Sequence, residues 1–135
     1  MTNKAVVFSS SLGKTKKTAN YIAKGLNADI FDLKKQKAIN LSEYNHIIFA
    51  TGIHAGRPYS ALVNFLKDNS EQLSGKKKSL FITCMFNDKK GEDQLKNVSG
   101  ELGINDAFFF SGKGDKNSDG VELAVDNFIK EMLKR

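Results

Sequence analysis

The sequence predicts an α/β domain, a doubly wound five-stranded parallel sheet with strand order 2-1-3-4-5. Short apolar runs recur along the 135 residues, and the segments between them carry apolar residues at helical spacing. Strands that are apolar throughout are typical of a parallel sheet covered by helices on both faces. In this architecture ligands bind beyond the carboxyl ends of the strands, so the loops at that edge are the candidate site.

The first part of the chain supplies three strands and one helix. Ala5–Phe8 is a short apolar run and is followed by the amphipathic helix Thr15–Asn27. Ala28–Leu33 alternates well enough for a second strand, and the lysine-rich segment after it is expected to be a loop. Leu41–Tyr44 is expected to form a short turn. His46–Ala50 is nearly continuous in apolar residues, which predicts the third strand.

The second part alternates in the same way. Ala61–Leu73 is predicted to be a helix with one apolar side, and Ser79–Thr83 the fourth strand. Glu92–Leu102 is predicted to be a helix that ends before Gly103, a residue type that commonly follows helices. Ala107–Phe110 is the fifth predicted strand. The helix Asp119–Leu133 then completes a single domain, residues 1–135.

Length and composition indicate an ordinary globular protein of the cytoplasm. No apolar run approaches the roughly 20 residues that span a bilayer, and Met1–Lys4 leads directly into a strand, without a secretory signal. The single cysteine, Cys84, fits a reducing compartment. One cysteine and two separated histidines do not form a metal-ligand cluster. We therefore expect a cytoplasmic protein with no membrane insertion and no structural metal.

The net charge of +6 comes from 19 lysines and only two arginines. Nucleic-acid binding would be indicated by arginine-rich stretches or by basic residues interleaved with aromatic ones, and the sequence has neither. The lysines are spread over turns and predicted outer faces of helices. A solvated surface is the simpler interpretation, and we expect no nucleic-acid partner.

The segment Ser9–Thr15 is the most informative loop. A loop between a strand and the helix that follows presents free backbone N–H groups and the positive end of the helix dipole. Serines and a threonine add donors, and Gly13 allows close approach, which suits a phosphate monoester. The loop is not a Walker A motif, because Phe8 stands where its first glycine is required, and it lacks the three glycines of a dinucleotide fingerprint. An ordinary capped turn is the structural alternative.

Three segments together resemble the flavodoxin family. Ser10–Thr15 resembles the family's FMN-phosphate loop, Ser/Thr-x-Ser/Thr-Gly-x-Thr, and departs from it at Leu12, where a hydroxyl is usual. Ile47–Tyr59 resembles the second flavin loop, and Phe109–Asp115 resembles a last strand and its loop. These two segments are most similar to the branch that contains menaquinone-dependent protoporphyrinogen oxidases. The similarity covers nearly the whole chain.

The resemblance implies FMN as the cofactor and assigns its contacts to three loops. The phosphate loop would comprise Ser9, Ser10, Ser11, Leu12, Gly13, Lys14 and Thr15. The flavin ring would lie between two further groups: Thr51, Gly52, Ile53, His54, Ala55 and Gly56, and Cys84, Met85, Phe86, Asn87 and Asp88. No catalytic residue is assigned.

Individual side chains at these loops carry more specific expectations. His54 occupies the position of a large residue that contacts the isoalloxazine, and Phe86 or Met85 is the candidate for the opposite ring face. Cys84 is interpreted as a small buried hydrophobe, and His46 as a surface residue. Three cations flank the expected flavin edge and are either incidental surface charge or a docking patch: Arg57, Lys89 and Lys90.

The function implied is that of a flavodoxin, low-potential electron transfer through bound FMN to redox partner proteins with acidic docking surfaces. The alternative is an FMN-dependent oxidoreductase that acts on a quinone or porphyrinogen. Those oxidases carry a long additional segment after strand four, whereas here Cys84 is followed by a helix from about Glu92, which favours the carrier. A phospho-receiver is excluded, because Ser9-Ser10 and Thr51-Gly52 stand where it needs acidic residues. A related domain that has lost FMN stays open because of Leu12.

Overall fold

Strands and helices alternate in the computed structural model, which describes residues 3–10, 13–36, 38–54, 57–83, 89–111 and 115–134. The strands are β1 (Lys4–Ser9), β2 (Asp29–Asp32), β3 (His46–His54), β4 (Arg57–Pro58), β5 (Lys77–Thr83) and β6 (Ala107–Phe110). The helices are α1 (Gly13–Leu26), α2 (Ser60–Asp68), α3 (Ser70–Leu73), α4 (Lys89–Leu102) and α5 (Leu123–Leu133).

The five long strands form the predicted parallel sheet. Their order is β2-β1-β3-β5-β6, which is the expected 2-1-3-4-5 once the two-residue β4 is set aside. β3 lies at the centre of the sheet. Its Thr51 is level with Ser9 of β1, and its Gly52 is level with Thr83 of β5. The doubly wound fold class is therefore confirmed.

Helices cover both faces of the sheet. Alternate residues of its central strands point to opposite sides, and both sets are apolar. In β1, Val7 packs on the side of α2, α3 and α4, whereas Val6 packs on the side of α1 and α5. Phe49 and Ile48 of β3 divide in the same way. All four side chains are fully buried, which explains why these strands are apolar without alternation. Within the described part of the chain, no helix is both long and apolar enough to cross a membrane.

The third strand is longer than predicted. β3 continues past Ala50 to His54, because β5 offers it backbone partners as far as Thr83. It then pairs antiparallel with β4, where Ile53 is level with Pro58. Residues 51–54, predicted to belong to a loop, therefore lie in a strand. Pro58 is compatible with this position, since β4 is a short flanking strand.

The helices also differ from the prediction: α1 and α4 begin two and three residues earlier than predicted, at Gly13 and Lys89, and two other helices differ more. The predicted helix Ala61–Leu73 is two helices, α2 and α3, which meet at Asn69. The Asn69 side chain donates to the Phe65 carbonyl and accepts from Gln72 Nε2, and such local bonds compete with helix continuation. The last helix begins at Leu123 and not at Asp119.

The delayed start of α5 has a local cause. The side-chain oxygen of Asn117 accepts the backbone N–H groups of Asp119 and Val121, and Gly120 has φ +78°. These bonds form a turn, so the chain becomes helical only after Glu122.

The prediction that His46 lies on the surface is wrong. Its residue is 3% exposed, and its Nε2 is 2.7 Å from the hydroxyl of Ser79. Ser79 donates its single hydroxyl proton to the carboxylate of Asp106, so it accepts from His46, whose Nε2 therefore carries a proton. These bonds, which we call the His46–Ser79–Asp106 chain, connect β3, β5 and the residue before β6 at their amino ends.

A second polar contact, half-buried, connects the predicted turn with β2. The turn is confirmed, since the Tyr44 N–H donates to the Leu41 carbonyl over 3.1 Å. The Tyr44 hydroxyl donates to the Asp29 carboxylate, and this bond together with burial raises the pKa of Tyr44 to about 12.

We expect Tyr44→Phe to lower the free energy of unfolding by about 1 kcal/mol near neutral pH, the typical contribution of one such hydrogen bond. The pKa of Tyr44 is higher in the folded state than its ordinary value of 10. Its contribution is therefore complete below about pH 10 and is lost as the pH rises through about 12. Urea unfolding of both proteins across this range measures the effect. A constant difference between them at all pH values would contradict the contact.

Candidate functional site at the carboxyl edge of the sheet

Four apolar strands of the sheet share one feature at their carboxyl ends, a buried hydroxyl residue. β1 and β5 end in serine and threonine, β3 reaches the same level at a threonine, and a serine directly follows β6. We call these residues the hydroxyl row, and all are at most 6% exposed: Ser9, Thr51, Thr83 and Ser111. The row provides short donors and acceptors at the edge where ligands of this fold bind.

The hydroxyl of Thr83 connects the row to the predicted phosphate loop. Its Oγ1 lies 2.7 Å from Oγ1 of Thr15, and Thr15 is only 2% exposed. One of the two hydroxyls donates to the other, and the proton of the second is then left for another acceptor. The end of β5 is thereby joined to the first turn of α1.

Gly52 lies directly against this pair. A Cβ at Gly52 would be 3.1 Å from Oγ1 of Thr15 and 3.3 Å from the hydroxyl of Tyr59. The neighbouring Thr51 hydroxyl accepts the backbone N–H of Tyr59 over 3.1 Å, which holds the start of α2 against β3. Three segments that are distant in sequence therefore meet closely at Gly52, and the absence of a side chain there permits it.

The start of α1 is arranged for a ligand at its N-terminus. Its first turn contains no acidic residue, and a Cβ at Gly13 would meet no heavy atom of another described segment within 4 Å. Ser10, three residues before Gly13, is half-buried. The Lys14 ammonium donates to the Ser111 carbonyl over 3.1 Å, so it joins the phosphate loop to the end of β6. Unopposed N–H groups and a nearby ammonium favour an anion.

The structure places the remaining predicted site residues unevenly. Ile53 and His54 are the last residues of β3, at the turn towards β4. The other predicted contacts lie outside the described residues: Ser11, Leu12, Ala55, Gly56, Cys84, Met85, Phe86, Asn87 and Asp88. The structure brings Ser9, Thr15, Thr51 and Gly52 together.

Arg57, one of the three cations expected at the flavin edge, is paired with an acid. Arg57 forms an ion pair with Glu101, and this contact raises the pKa of the guanidinium. Lys89 and Lys90 begin α4, whose first turn also holds Glu92. The three cations, interpreted as incidental surface charge or a docking patch, are therefore offset in part by Glu101 and Glu92.

Three contacts of the site were not among the residues assigned from the sequence: Thr83, Ser111 and Tyr59. Thr83 and Ser111 had a signal, because a hydroxyl residue at the carboxyl end of an apolar strand lies at the ligand edge of a parallel sheet. Tyr59 had none, since its role depends on the unpredicted β4. In the described part of the chain, no group of three or more His, Cys, Asp or Glu is arranged to hold a metal ion.

Comparison with known proteins agrees with this geometry. The family model for the flavodoxin domain matches residues 5–130, and the chain therefore belongs to the flavodoxin domain family. An uncharacterized protein of Methanocaldococcus jannaschii is 30% identical, over 89% of this chain and 90% of that protein.

Solved structures show the same fold at low identity. A flavoprotein from Bacteroides uniformis has a TM-score of 0.67 at 16% identity and covers 96% of this chain and 98% of its own. A flavoprotein from Lactobacillus acidophilus, solved in complex with FMN, has a TM-score of 0.61 at 13% identity. The match covers 81% of this chain and 93% of that flavoprotein. Rubredoxin oxygen:oxidoreductase from Desulfovibrio gigas has a TM-score of 0.70 at 16% identity; it covers 98% of this chain, which spans 36% of that protein.

The close approach at Gly52 leads to a paired prediction. Gly52→Ala should lower the free energy of unfolding by about 1 kcal/mol, because the methyl group meets buried atoms that cannot all move away. Gly100→Ala is the control, since a Cβ there meets nothing within 4 Å on an exposed part of α4. It should instead stabilise by roughly 0.5–1 kcal/mol. Chemical denaturation of both variants decides the matter, and stabilisation by Gly52→Ala would show that the site is looser than described.

Proposed function

We propose that this protein binds FMN at the carboxyl edge of its sheet and acts as a one-electron carrier at low potential. The observation that carries the proposal is the start of α1, where an acid-free first turn meets the Thr15–Thr83 pair. FMN, when bound, supplies the redox chemistry, and the protein supplies binding, orientation and electrostatics. Membership of the flavodoxin domain family supports the same proposal.

The residues at this edge fit a terminal phosphate. The open space beside Gly13 permits close approach to the backbone of the first turn, and the helix dipole favours an anion there. Ser10, Lys14 and Thr15 would provide the side-chain contacts. Thr51 to His54 continue along β3 from this point, and we assign them to the ring together with the segment that follows β5.

The connection after β5 favours a carrier over an enzyme. β5 ends at Thr83 and α4 begins at Lys89, so five residues join them. A substrate pocket beside a flavin needs walls, and a five-residue connection contributes little to them. An FMN-dependent oxidoreductase that acts on a quinone or porphyrinogen is the alternative. We place the carrier in the cytoplasm. Its redox partners are expected to be acidic proteins, a choice supported by the net charge of +6.

The phosphate contact is tested by Thr15→Val. We expect this variant to bind FMN at least about tenfold more weakly, because a hydrogen bond to a charged group is lost. Riboflavin lacks the phosphate, so its affinity should change much less. Fluorescence titration of the flavin-free protein with each ligand measures both dissociation constants.

Thr83→Val is the matched control for this experiment. It removes the same 2.7 Å hydrogen bond between the two threonines but leaves the Thr15 hydroxyl in place. FMN and riboflavin should therefore be affected alike in this variant. Equal losses for both ligands in Thr15→Val would show that the phosphate does not contact Thr15.

Carrier and enzyme are separated by the kinetics of quinone reduction. We expect the rate at which the reduced protein transfers electrons to a quinone to rise linearly with quinone concentration, since a carrier reacts on encounter. An enzyme with a quinone pocket would show saturation and a KM. Stopped-flow measurements over a wide concentration range distinguish the two, and clear saturation would favour the oxidoreductase.

A further inference from the structure

The positive charge of the helices is concentrated on α1. This helix contains Lys14, Lys16, Lys17 and Lys24 and no acidic residue. In each of the other helices, acids and bases balance to within one charge. The net charge of the helices is therefore not spread evenly among them.

Three of these lysines share one side of the helix with a tyrosine. Lys14, Lys17, Tyr21 and Lys24 are spaced three, four and three residues apart, which places them along one face. We call Lys14, Lys17 and Lys24 the lysine face. Along the helix axis, Lys17 and Lys24 are about 10 Å apart, at about 1.5 Å per residue.

The lysine face forms one wall of a groove of about 1120 Å³ between α1 and α5. Residues 116 and 119–122, which precede α5, also line it. The two helices approach each other closely at Gly25, where a Cβ would lie 2.9 Å from Cδ1 of Ile129. At its other end the groove reaches Lys14 and Ser111, beside the carboxyl edge of the sheet.

The acidic groups of the groove do not neutralise this face. Asp126 accepts hydrogen bonds from two neutral donors, the Tyr21 hydroxyl at 2.7 Å and Asn117 Nδ2 at 2.8 Å, which lower its pKa. Glu122 is only 8% exposed, and Asp119 lies on the exposed turn before α5. Lys116, and Lys130 near Asp126, add two further cations. Among the described residues, the exposed Lys17 and Lys24 form no hydrogen bond or ion pair through their ammonium groups.

We propose that the groove between α1 and α5 binds an extended acidic segment of a partner polypeptide, with carboxylates on Lys17 and Lys24. About three extended residues, at about 3.3 Å each, span the distance between these lysines. Charge complementarity of this kind gives orientation and fast association. The proposal depends on the charges of α1 and not on bound FMN, so it stands apart from the proposed function.

A nucleic acid fits the groove less well than an acidic polypeptide. Its phosphates repeat at every nucleotide and would face Asp119 and Asp126, whereas a polypeptide can place neutral residues there. α1 has no arginine, and its one aromatic residue, Tyr21, is half-buried with its hydroxyl in use. Stacking platforms for bases are therefore missing from this helix.

The test is a binding titration with a labelled peptide of alternating Glu and Ser, about eight residues long. Fluorescence anisotropy with the 135-residue protein should show saturable binding at about 0.02 M salt that weakens strongly at about 0.2 M, where exposed charges are screened. Lys17→Glu combined with Lys24→Glu should weaken binding by about tenfold or more, since two ion pairs are replaced by repulsion.

The matched control is Lys34→Glu combined with Lys35→Glu, on the exposed turn after β2. It changes the net charge by the same amount and should leave the affinity within about twofold of the unmodified protein. Equal losses in the two double variants, or no binding at low salt, would overturn the proposal. Tighter binding of a single-stranded oligonucleotide of the same length would overturn it in favour of a nucleic acid. FMN affinity of the same variants is measured separately and should not change.

Discussion

The structure depends on one constraint, that β1, β3 and β5 are covered by helices on both faces. Strands buried in this way leave no room for polar side chains along their length, so polar groups are confined to their two ends. At the carboxyl ends this produces the hydroxyl row and the contacts around Gly52. At the amino ends it produces the His46–Ser79–Asp106 chain. The candidate site is thus the part of the sheet where the apolar core stops.

Contacts across this edge make the candidate site a joint product of several elements. The Thr15–Thr83 pair joins α1 to β5, Lys14 joins α1 to the end of β6, and the Thr51 hydroxyl joins β3 to the start of α2. Each bond joins two different elements of the fold. A ligand that contacts the first turn of α1 would therefore act on the ends of β5 and β6, because the hydrogen bonds of Thr15 and Lys14 transmit small displacements to them.

Much of the fold was predictable because apolar runs and helical spacing report burial directly. The strands and the sheet order follow from them, and so do Ser9, Thr15, Thr51 and Gly52 as neighbours at one edge. Other features depend on partners that are distant in sequence. His46 can be buried because Ser79, 33 residues away, accepts a hydrogen bond from its ring. Arg57 is paired because Glu101 lies opposite it, 44 residues away. The short β4 carries too few residues for any periodicity, and the break at Asn69 arises from side-chain bonds that compete with the helix.

The His46–Ser79–Asp106 chain also acts as a check on strand alignment. Side chains alternate along a strand, so a slip of one residue between β3 and β5 would turn the core side chains to the wrong face. The same slip would bring Lys78 or Leu80 to the position of Ser79. Neither side chain can both accept a hydrogen bond from His46 and donate one to Asp106. A misaligned sheet would therefore leave a buried imidazole and a carboxylate without their shared partner. The three residues favour one alignment out of several that the apolar runs alone would permit. They lie at the amino ends of the strands, at the opposite edge of the sheet from the candidate site.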